Sequence, residues 1–362
     1  MSAAALRYTP MATVPRLRVD LSSDTVTRPT KAMRRAMANA EVGDEQRGED
    51  PTVNALTERV GDLLGHEAAV FLPSGTMCNQ IAVAVHCAPG DAFFCHRSAH
   101  PLLSEAGGAS ALAGAQPHPL DGPRGIFGAD QLRAAIAHET RYAPHPSLVW
   151  VEQTANLVGG CCWSLDEIGG VLDVAEERSL RTHLDGARLL NATTATGHRA
   201  ADYAGRFDTA WIDFSKGLGA PVGAVLAGSA ALVDEAWRWK QRLGGSMRQS
   251  GIVAAGALHA LEHHVERLAE DHANARRLAA GLAGTPGLRI DAAAVETNIV
   301  AADASAWPGG AGELVHRLTV EHGVRASFGL GGRVRFVTHL DVDANDIDVA
   351  VEAVHRLAAS RV

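Results

Sequence analysis

The stretch that decides the fold runs from residue 182 to residue 221 and reads THLDGARLLNATTATGHRAADYAGRFDTAWIDFSKGLGAP. Its apolar runs at 182–184 and 210–214 predict two strands with a turn and a helix between them. The first run leads into Asp185, and the second leads into Lys216 and a glycine-rich turn. In α/β sheets, ligands bind beyond the carboxyl ends of the strands. We therefore expect Asp185 and Lys216 at the ligand-binding edge of one sheet.

The same alternation of short apolar runs and helical patterns extends through the first 250 residues. One helix is framed by Asp50-Pro51 at its start and Gly65 at its end, which are typical cap residues. This order is typical of an α/β fold whose mainly parallel sheet is covered on both faces. Further strands are predicted at 68–72, 92–95, 148–151 and 222–227, and helices at 51–64, 77–86, 165–177 and 230–242.

A different pattern follows residue 250. A long helical stretch at 251–282 precedes short apolar runs near 298–301, 325–328 and 333–337 and a closing helix at 344–358, which predicts a smaller α+β domain. The expected organisation is an N-terminal arm at 1–20, a large domain at 21–250, and a small C-terminal domain at 251–362 that contains the long connecting helix.

The composition excludes several classes of protein. Of the 362 residues 46% are apolar and 20% are charged, and the formal net charge is −8. These values favour a globular chain with a sizeable core over a disordered one. Because the basic residues are scattered rather than clustered, we expect no nucleic-acid partner.

Membrane insertion and export are also disfavoured. The longest apolar stretch, 220–233, is short and interrupted by Pro221, and residues 1–20 lack the apolar core of an export signal. The cysteines number five, and Cys161 and Cys162 are adjacent, which does not fit a secreted disulfide framework. We expect a cytoplasmic protein.

Lysine is rare in this chain. Only Lys31, Lys216 and Lys240 occur among 33 basic residues. Lys31 and Lys240 lie in arginine-rich helical stretches and are interpreted as surface charges. Lys216 stands between a buried strand and a turn that lets backbone approach a ligand. A partly desolvated lysine in such a place can lose its proton and act as a nucleophile, which arginine cannot do.

Asp185 and a second turn complete a candidate cofactor site. An Asp at a strand end can simply cap the next helix, but it can also pair with the pyridine nitrogen of pyridoxal phosphate (PLP), which needs such a partner to act as an electron sink. The turn Pro73-Ser74-Gly75-Thr76 stands between a predicted strand and helix, where backbone N–H groups and hydroxyls can hold a phosphate. No nucleotide-binding glycine motif is present.

A zinc site is the competing interpretation. His259-Ala260-Leu261-Glu262-His263 matches a zinc-protease pattern, but such short matches arise by chance and no further ligand is recognisable. Cys161-Cys162 lacks metal-ligand spacing and is interpreted as core or loop thiols. We expect no metal.

With these features in this order, the chain resembles the low-specificity L-threonine aldolases, which are PLP-dependent enzymes of fold type I. The resemblance covers about residues 19–345. It rests on DLSSDTVTRP (20–29), GEDPT (48–52), PSGT (73–76), EAGG (105–108), LDGAR (184–188), SKGLGAPVG (215–223), MRQSG (247–251) and VRFVTHLD (334–341).

The resemblance implies a role for each matching residue. Lys216 would carry PLP on its amine, Asp185 would pair with the pyridine nitrogen, and His100 would stack on the ring near the substrate hydroxyl. These three form the predicted catalytic set. The phosphate would be held by Gly75 and Thr76, and by Arg248 from a neighbouring subunit. The substrate carboxylate or the phenolic oxygen of PLP would be bound by Ser23, Arg188 and Arg335.

The resemblance also implies the architecture and the reaction. The expected fold is a large domain with a mainly parallel seven-stranded sheet plus a smaller α+β domain, assembled as a homotetramer of dimers with shared active sites. The expected reaction is retro-aldol cleavage of the Cα–Cβ bond of L-threonine, L-allo-threonine or a related β-hydroxy-α-amino acid, which gives glycine and an aldehyde.

Three positions depart from the family pattern. Thr154-Ala155-Asn156 lacks a histidine found in the family, Arg47 replaces a tyrosine, and Ser22 stands where an arginine is usual. Because these changes bear on the base and on the β-substituent, the alternative is a related PLP-dependent β-eliminating lyase. A third hypothesis is a PLP- or zinc-binding interaction protein without enzymatic activity.

Overall fold

The computed structural model describes residues 17–136 and 140–360. Its strands are β1 (Val19–Asp20), β2 (Ala68–Leu72), β3 (Ala92–His96), β4 (Gln116–Leu120), β5 (Pro146–Glu152), β6 (Arg181–Gly186), β7 (Thr209–Asp213), β8 (Ala224–Gly228), β9 (Ile299–Asp303), β10 (Val324–Arg325), β11 (Ser327–Phe328) and β12 (Arg333–Val337). Its helices are α1 (Lys31–Ala38), α2 (Pro51–Leu64), α3 (Gly75–His86), α4 (His100–Leu103), α5 (Gly108–Leu112), α6 (Ala129–Ala135), α7 (Leu165–Glu177), α8 (Leu189–Thr196), α9 (Ala200–Ala204), α10 (Ala230–Arg242), α11 (Gly251–His263), α12 (Leu268–Leu282), α13 (Gly310–His322) and α14 (Ala344–Ala359).

A seven-stranded sheet forms the centre of the described structure, in the order β2-β8-β7-β6-β5-β3-β4. Only β8 runs against its neighbours, and the other pairs are parallel. The predicted mainly parallel sheet is therefore confirmed. The carboxyl ends of β2, β3, β5, β6 and β7 meet at one edge, because these strands share a direction.

Helix boundaries follow the capping chemistry of the sequence. The Asp50 carboxylate accepts the N–H of Val53, Pro51 opens α2, and Gly65 ends it with a positive φ of 75°. In α7, Ser164 and Glu167 form a reciprocal capping box. These local signals explain why α2 and α7 begin and end where the sequence predicts.

The long helix predicted at 251–282 is wrong in one respect, because it divides into α11 and α12. The chain leaves the helix at His264, whose Nδ1 lies 2.7 Å from the carbonyl oxygen of Leu218. That contact ties the break to the glycine-rich turn after β7. Strand β4 was not predicted, because it contains Pro117 and Pro119. It is an edge strand, where proline is tolerated.

The C-terminal part packs around a second cluster of buried apolar residues. Strands β11, β12 and β9 form an antiparallel sheet, and β1 pairs with β10 in parallel. Residues 1–16 of the predicted N-terminal arm lie outside the described residues. The domain boundary near residue 250 stays a prediction. Within the described residues, no helix combines the length and the apolar character needed to cross a membrane.

The interpretation of Lys240 as a surface charge is wrong, whereas Lys31 is exposed as predicted. Lys240 is 0% exposed, its Nζ donates to Glu45 Oε1 at 2.8 Å, and it lies 4.1 Å from the centre of the Trp237 ring. Glu45 also accepts the N–H of Met247. Burial lowers the pKa of Lys240, although the bond to Glu45 opposes that shift. The arginine-rich surroundings of Lys240 in the sequence hide its position on the inner face of α10.

Replacing Lys240 with Met should reduce the free energy of unfolding by about 3–5 kcal/mol, because it leaves the Glu45 carboxylate buried without its cation. The double variant Lys240→Met/Glu45→Gln should recover part of that loss. The exposed Lys31→Met is the matched control and should stay within about 0.5 kcal/mol of the parent. Urea unfolding measures all three, and equal losses in Lys240→Met and Lys31→Met would contradict the buried ion pair.

Candidate active site

A pocket of about 330 Å³ opens at the carboxyl edge of the sheet. This volume lies in the range of small-molecule sites, which is roughly 300–1,000 Å³. It is built by the segments that follow β2, β3, β5, β6 and β7, together with β12. Its lining includes the predicted residues Ser23, Gly75, Thr76, His100, Asp185, Arg188, Lys216 and Arg335.

Lys216 follows β7 and reaches the pocket with a side chain that is 18% exposed. Its Nζ donates to Asp213 Oδ2 at 2.6 Å and lies 5.5 Å from the centre of the Trp211 ring. Gly219 in the following turn has a φ of 75°, so the turn needs a residue without a Cβ. The amine is thus held at the pocket by a carboxylate that the sequence analysis did not identify.

Asp185 is buried at the end of β6, and its carboxylate accepts the N–H of Ala187 at 3.0 Å and the Asn79 amide at 2.9 Å. No ion pair joins it to a cation among the described residues. Burial raises the pKa of Asp185, against the opposing charges of His100 and Lys216. A buried carboxylate without a cation is costly, so this side of the pocket fits a ligand with a positively charged group.

His100 forms a pair with a buried carboxylate. Its Nδ1 lies 2.7 Å from Glu105 Oε1, and Asn79 donates to the same oxygen at 2.6 Å. Asn79 therefore links Glu105 to Asp185. Burial lowers the pKa of His100, but the bond to Glu105 and the charges of Asp185, Glu105 and Glu152 outweigh it, so the pKa lies above its ordinary value. An imidazole oriented in this way is suited to act as a base.

Glu152, the last residue of β5, lines the same pocket. Its carboxylate accepts the backbone N–H of His100 at 3.0 Å and of Asn156 at 3.2 Å. Burial, together with the charge of Asp185, raises the pKa of Glu152 to about 7. The side chain can therefore exchange a proton near neutral pH.

Two arginines provide the positive charge of the pocket. Arg188 donates from Nε and Nη2 to Asp24 at 2.7 and 2.6 Å, and both residues are buried. Burial raises the pKa of Asp24, but the Arg188 guanidinium outweighs it and holds the pKa well below its usual range. Two N–H groups of Arg188 are thus committed to Asp24.

Arg335 is less completely satisfied. It donates from Nη2 to Asn156 Oδ1 at 2.7 Å and from Nη1 to the carbonyl oxygen of Ser22 at 3.3 Å, whereas its buried Nε has no partner in the described structure. Burial and the nearby charge of Arg188 lower the pKa of Arg335 to about 10. This unsatisfied guanidinium fits an anionic ligand group such as a carboxylate.

The first residues of α3 also line the pocket. Ser74 caps the helix by accepting the N–H of Met77, and the pocket is lined by Ser74, Gly75 and Thr76. A Cβ at Gly75 would collide with the indole of Trp211, so only glycine fits there. The free N–H groups of a helix start favour a phosphate.

Arg248 is the one predicted site residue that does not line this pocket. It is exposed, and its Nη1 donates to Asp44 Oδ2 at 2.8 Å. Arg47, one of the three departures from the family pattern, forms a surface ion pair with the same Asp44. Its Nε lies 3.9 Å from Asp44 Oδ2. Ala155 is buried, and Ser22 donates to Asp20.

The residues of the zinc interpretation lie on and after α11. The ring centres of His259 and His263 are 4.4 Å apart, and the ring of His264 is hydrogen-bonded to the carbonyl oxygen of Leu218. Among residues 17–136 and 140–360, no group of three or more His, Cys, Asp or Glu side chains could hold a metal ion. Cys161 and Cys162 are free thiols.

Comparison with known proteins agrees with this geometry. The sequence profile of the beta-eliminating lyase family matches residues 20–305. The chain is 38% identical over 333 residues to low-specificity L-threonine aldolase 1 of Arabidopsis thaliana, covering 91% of this chain and 93% of that protein. It is 39% identical over 332 residues to the low specificity L-threonine aldolase of Escherichia coli K12, covering 91% and 96%.

The solved threonine aldolase of Leishmania major shares the fold, with a TM-score of 0.79 at 20% identity over 94% of this chain and 99% of that one. The sequence matches extend over nearly the whole length of both partners. The chain therefore belongs to the beta-eliminating lyase family and, within it, to the low-specificity L-threonine aldolases.

Proposed function

We propose that this protein is a PLP-dependent aldolase that cleaves L-threonine, L-allo-threonine or a related β-hydroxy-α-amino acid to glycine and an aldehyde. One observation carries the proposal: a lysine amine, a buried carboxylate without a cation and an unsatisfied arginine line one pocket in a chain of this family. This set can hold a cofactor and a substrate carboxylate at the same time.

The residues present fit PLP. Lys216 would carry it on the amine, the anionic Asp185 would pair with its ring nitrogen, and the start of α3 at Gly75 and Thr76 would bind its phosphate. PLP, when bound, supplies an electron sink that stabilises negative charge at the substrate Cα. His100 would stack on the ring.

The arginines would bind and orient the substrate. Arg335 has an unsatisfied N–H, and Ser23 lines the same pocket, so both are available to bind the α-carboxylate. Arg188, fixed by Asp24, adds positive charge beside them. A carboxylate held by these groups fixes which bond at Cα is broken, because a bound geometry replaces a random encounter.

His100 would take the proton from the β-hydroxyl group. Among the described residues no protein group hydrogen-bonds its Nε2, while Glu105 at Nδ1 stabilises the imidazolium that forms. Because the pKa of His100 lies above its ordinary value and the base must be neutral, cleavage should increase as pH rises through that pKa.

His100→Ala should keep the absorption of the bound cofactor while carbon–carbon cleavage falls by roughly two to four orders of magnitude, the usual contribution of a general base. A coupled assay for the released aldehyde measures the loss. The exposed His355→Ala on α14 is the matched control and should leave turnover unchanged. If His100→Ala retained full turnover, the role of base would pass to Glu152.

A product assay tests the proposed function. Both threonine diastereomers, phenylserine and β-hydroxyaspartate are offered, and glycine and the aldehyde are quantified. Release of a 2-oxo acid and ammonia instead of glycine would identify the alternative, a β-eliminating lyase. The same assay establishes the preferred diastereomer.

We also propose a cytoplasmic homotetramer, a dimer of dimers with shared active sites. Arg248 supports sharing, because it is exposed on its own subunit and lies outside that subunit's pocket. The free thiols of Cys78, Cys87 and Cys95 fit a reducing compartment.

A further inference from the structure

Asp213 is a buried carboxylate in contact with the reactive lysine. It is the last residue of β7, and its side chain is 5% exposed. Oδ1 accepts the backbone N–H and the hydroxyl of Ser215, each at 2.7 Å. Oδ2 accepts a hydrogen bond from Lys216 Nζ at 2.6 Å and from no other donor among the described residues. The two oxygens therefore have separate partners.

The bonds of Oδ1 belong to a local turn motif that any Asp at a strand end can form. They explain why the backbone turns at Ser215, but they do not require the second oxygen to face the pocket. Oδ2 is directed at Lys216, and Asp213 itself lines the pocket. The formation of the turn therefore does not account for the contact between Oδ2 and Lys216.

Other titratable groups lie around Lys216 at longer range. Asp24, Asp185 and Cys78 interact with its charge from the N-terminal segment, β6 and α3, and Arg188 interacts with Asp213. Within the described part of the chain, only Asp213 forms an ion pair with Nζ. It is therefore the group best placed to control whether this nitrogen carries a proton.

From this geometry we infer that Asp213 is a positioning residue for Lys216, holding Nζ as an ammonium ion at the pocket wall whenever the lysine is not covalently engaged. The inference rests on the proposed function. A substrate amine that took the place of Lys216 on the cofactor would form one carbon–nitrogen bond as the bond to Nζ broke, and the protons lost by the incoming ammonium would leave on Nζ. Asp213 would then stabilise the lysine ammonium ion.

The test measures the protonation of Lys216 directly. The full-length chain, freed of cofactor, is labelled with trace acetic anhydride across a pH series, and the extent of labelling at each lysine is read by peptide mass spectrometry. In Asp213→Asn the midpoint of the labelling profile at Lys216 should move to lower pH, because the carboxylate that favours the charged form of the amine is gone. The exposed Lys31 should keep its midpoint in every variant.

Two further variants separate this role from a structural one. Asp213→Glu keeps a carboxylate and should retain most of the parental midpoint. Ser215→Ala removes a turn bond without touching the ion pair and should leave the midpoint unchanged. A parental midpoint in Asp213→Asn, or the same shift in Ser215→Ala, would overturn the inference. If Asp213→Asn does not fold, Asp213→Ser takes its place in the comparison: a lowered midpoint at Lys216 supports the inference, and a parental midpoint contradicts it.

In the holoenzyme, the absorption of the lysine-bound cofactor should titrate at a lower pH in Asp213→Asn than in the parent. Failure of the chain to take up PLP would refute the proposed function, whereas the labelling comparison would still decide the role of Asp213.

Discussion

Lys216→Ala should lose the absorption of lysine-bound PLP, and its carbon–carbon cleavage should fall by at least roughly 10³-fold. The residue supplies the only amine in the pocket among the described residues, since Lys31 is exposed on α1 and Lys240 is buried against Glu45. A single positioned proton-transfer group already contributes about 10²–10⁴-fold, and the loss here also removes the covalent link.

Lys216→Arg separates chemistry from packing. Arginine keeps a positive charge next to Asp213, but it stays protonated and cannot bond to the cofactor. We expect this variant to fold like the parent and to be as inactive as Lys216→Ala. Lys31→Ala is the control and should retain colour and activity. Retention of the lysine-bound absorption in Lys216→Ala would refute the assignment.

Asp185→Asn is the second variant with a large expected effect. It preserves the shape of the side chain but removes the anion that pairs with the ring nitrogen. Loss of one partner of a buried charge pair costs about 3–5 kcal/mol, which corresponds to a fall in cleavage of roughly 10²–10⁴-fold. The bound absorption should persist, because Lys216 is intact. Steady-state rates and spectra of the same preparation measure both.

The cofactor-free form of this variant gives an independent readout. Because burial raises the pKa of Asp185, its carboxylate destabilises the empty fold at neutral pH. This cost decreases as the pH falls through the raised pKa and is gone below the ordinary value for aspartate. Cofactor-free Asp185→Asn should thus be at least as stable as the parent in urea. The exposed Asp173→Asn is the control for charge removal. Cleavage within threefold of the parent would contradict the proposed pairing.

Local signals in the sequence were sufficient for the positions of Asp185 and Lys216. Each follows a short apolar strand, and parallel strands bring their carboxyl ends to one edge, so sequence order alone places both residues near one pocket. The helix caps of α2 and α7 could also be predicted, because each consists of residues that are neighbours in the sequence. The roles assigned to these residues stay predictions of the family resemblance.

Contacts between distant segments could not be predicted in this way. The pairing of Lys240 with Glu45 joins α10 to a loop nearly two hundred residues earlier, so a buried lysine looked like a surface one. The hydrogen bonds that join Asn79 to Glu105 and to Asp185 also connect distant segments, so they could not be predicted either. Asp213 lies inside the strand predicted at 210–214, and only the structure shows that the strand ends there and that its carboxylate faces the amine.

The central claim is that Lys216 carries PLP, and reduction of the holoenzyme tests it most directly. Borohydride fixes the cofactor to its lysine, and peptide mass spectrometry then locates the added mass among three possible lysines. We predict one modified peptide, containing Lys216, and much less modification when the reduction is carried out in saturating glycine, whose amine would take the place of Lys216 on the cofactor. Modification at Lys31 or Lys240, or none at all in a protein that cleaves threonine, would contradict the account.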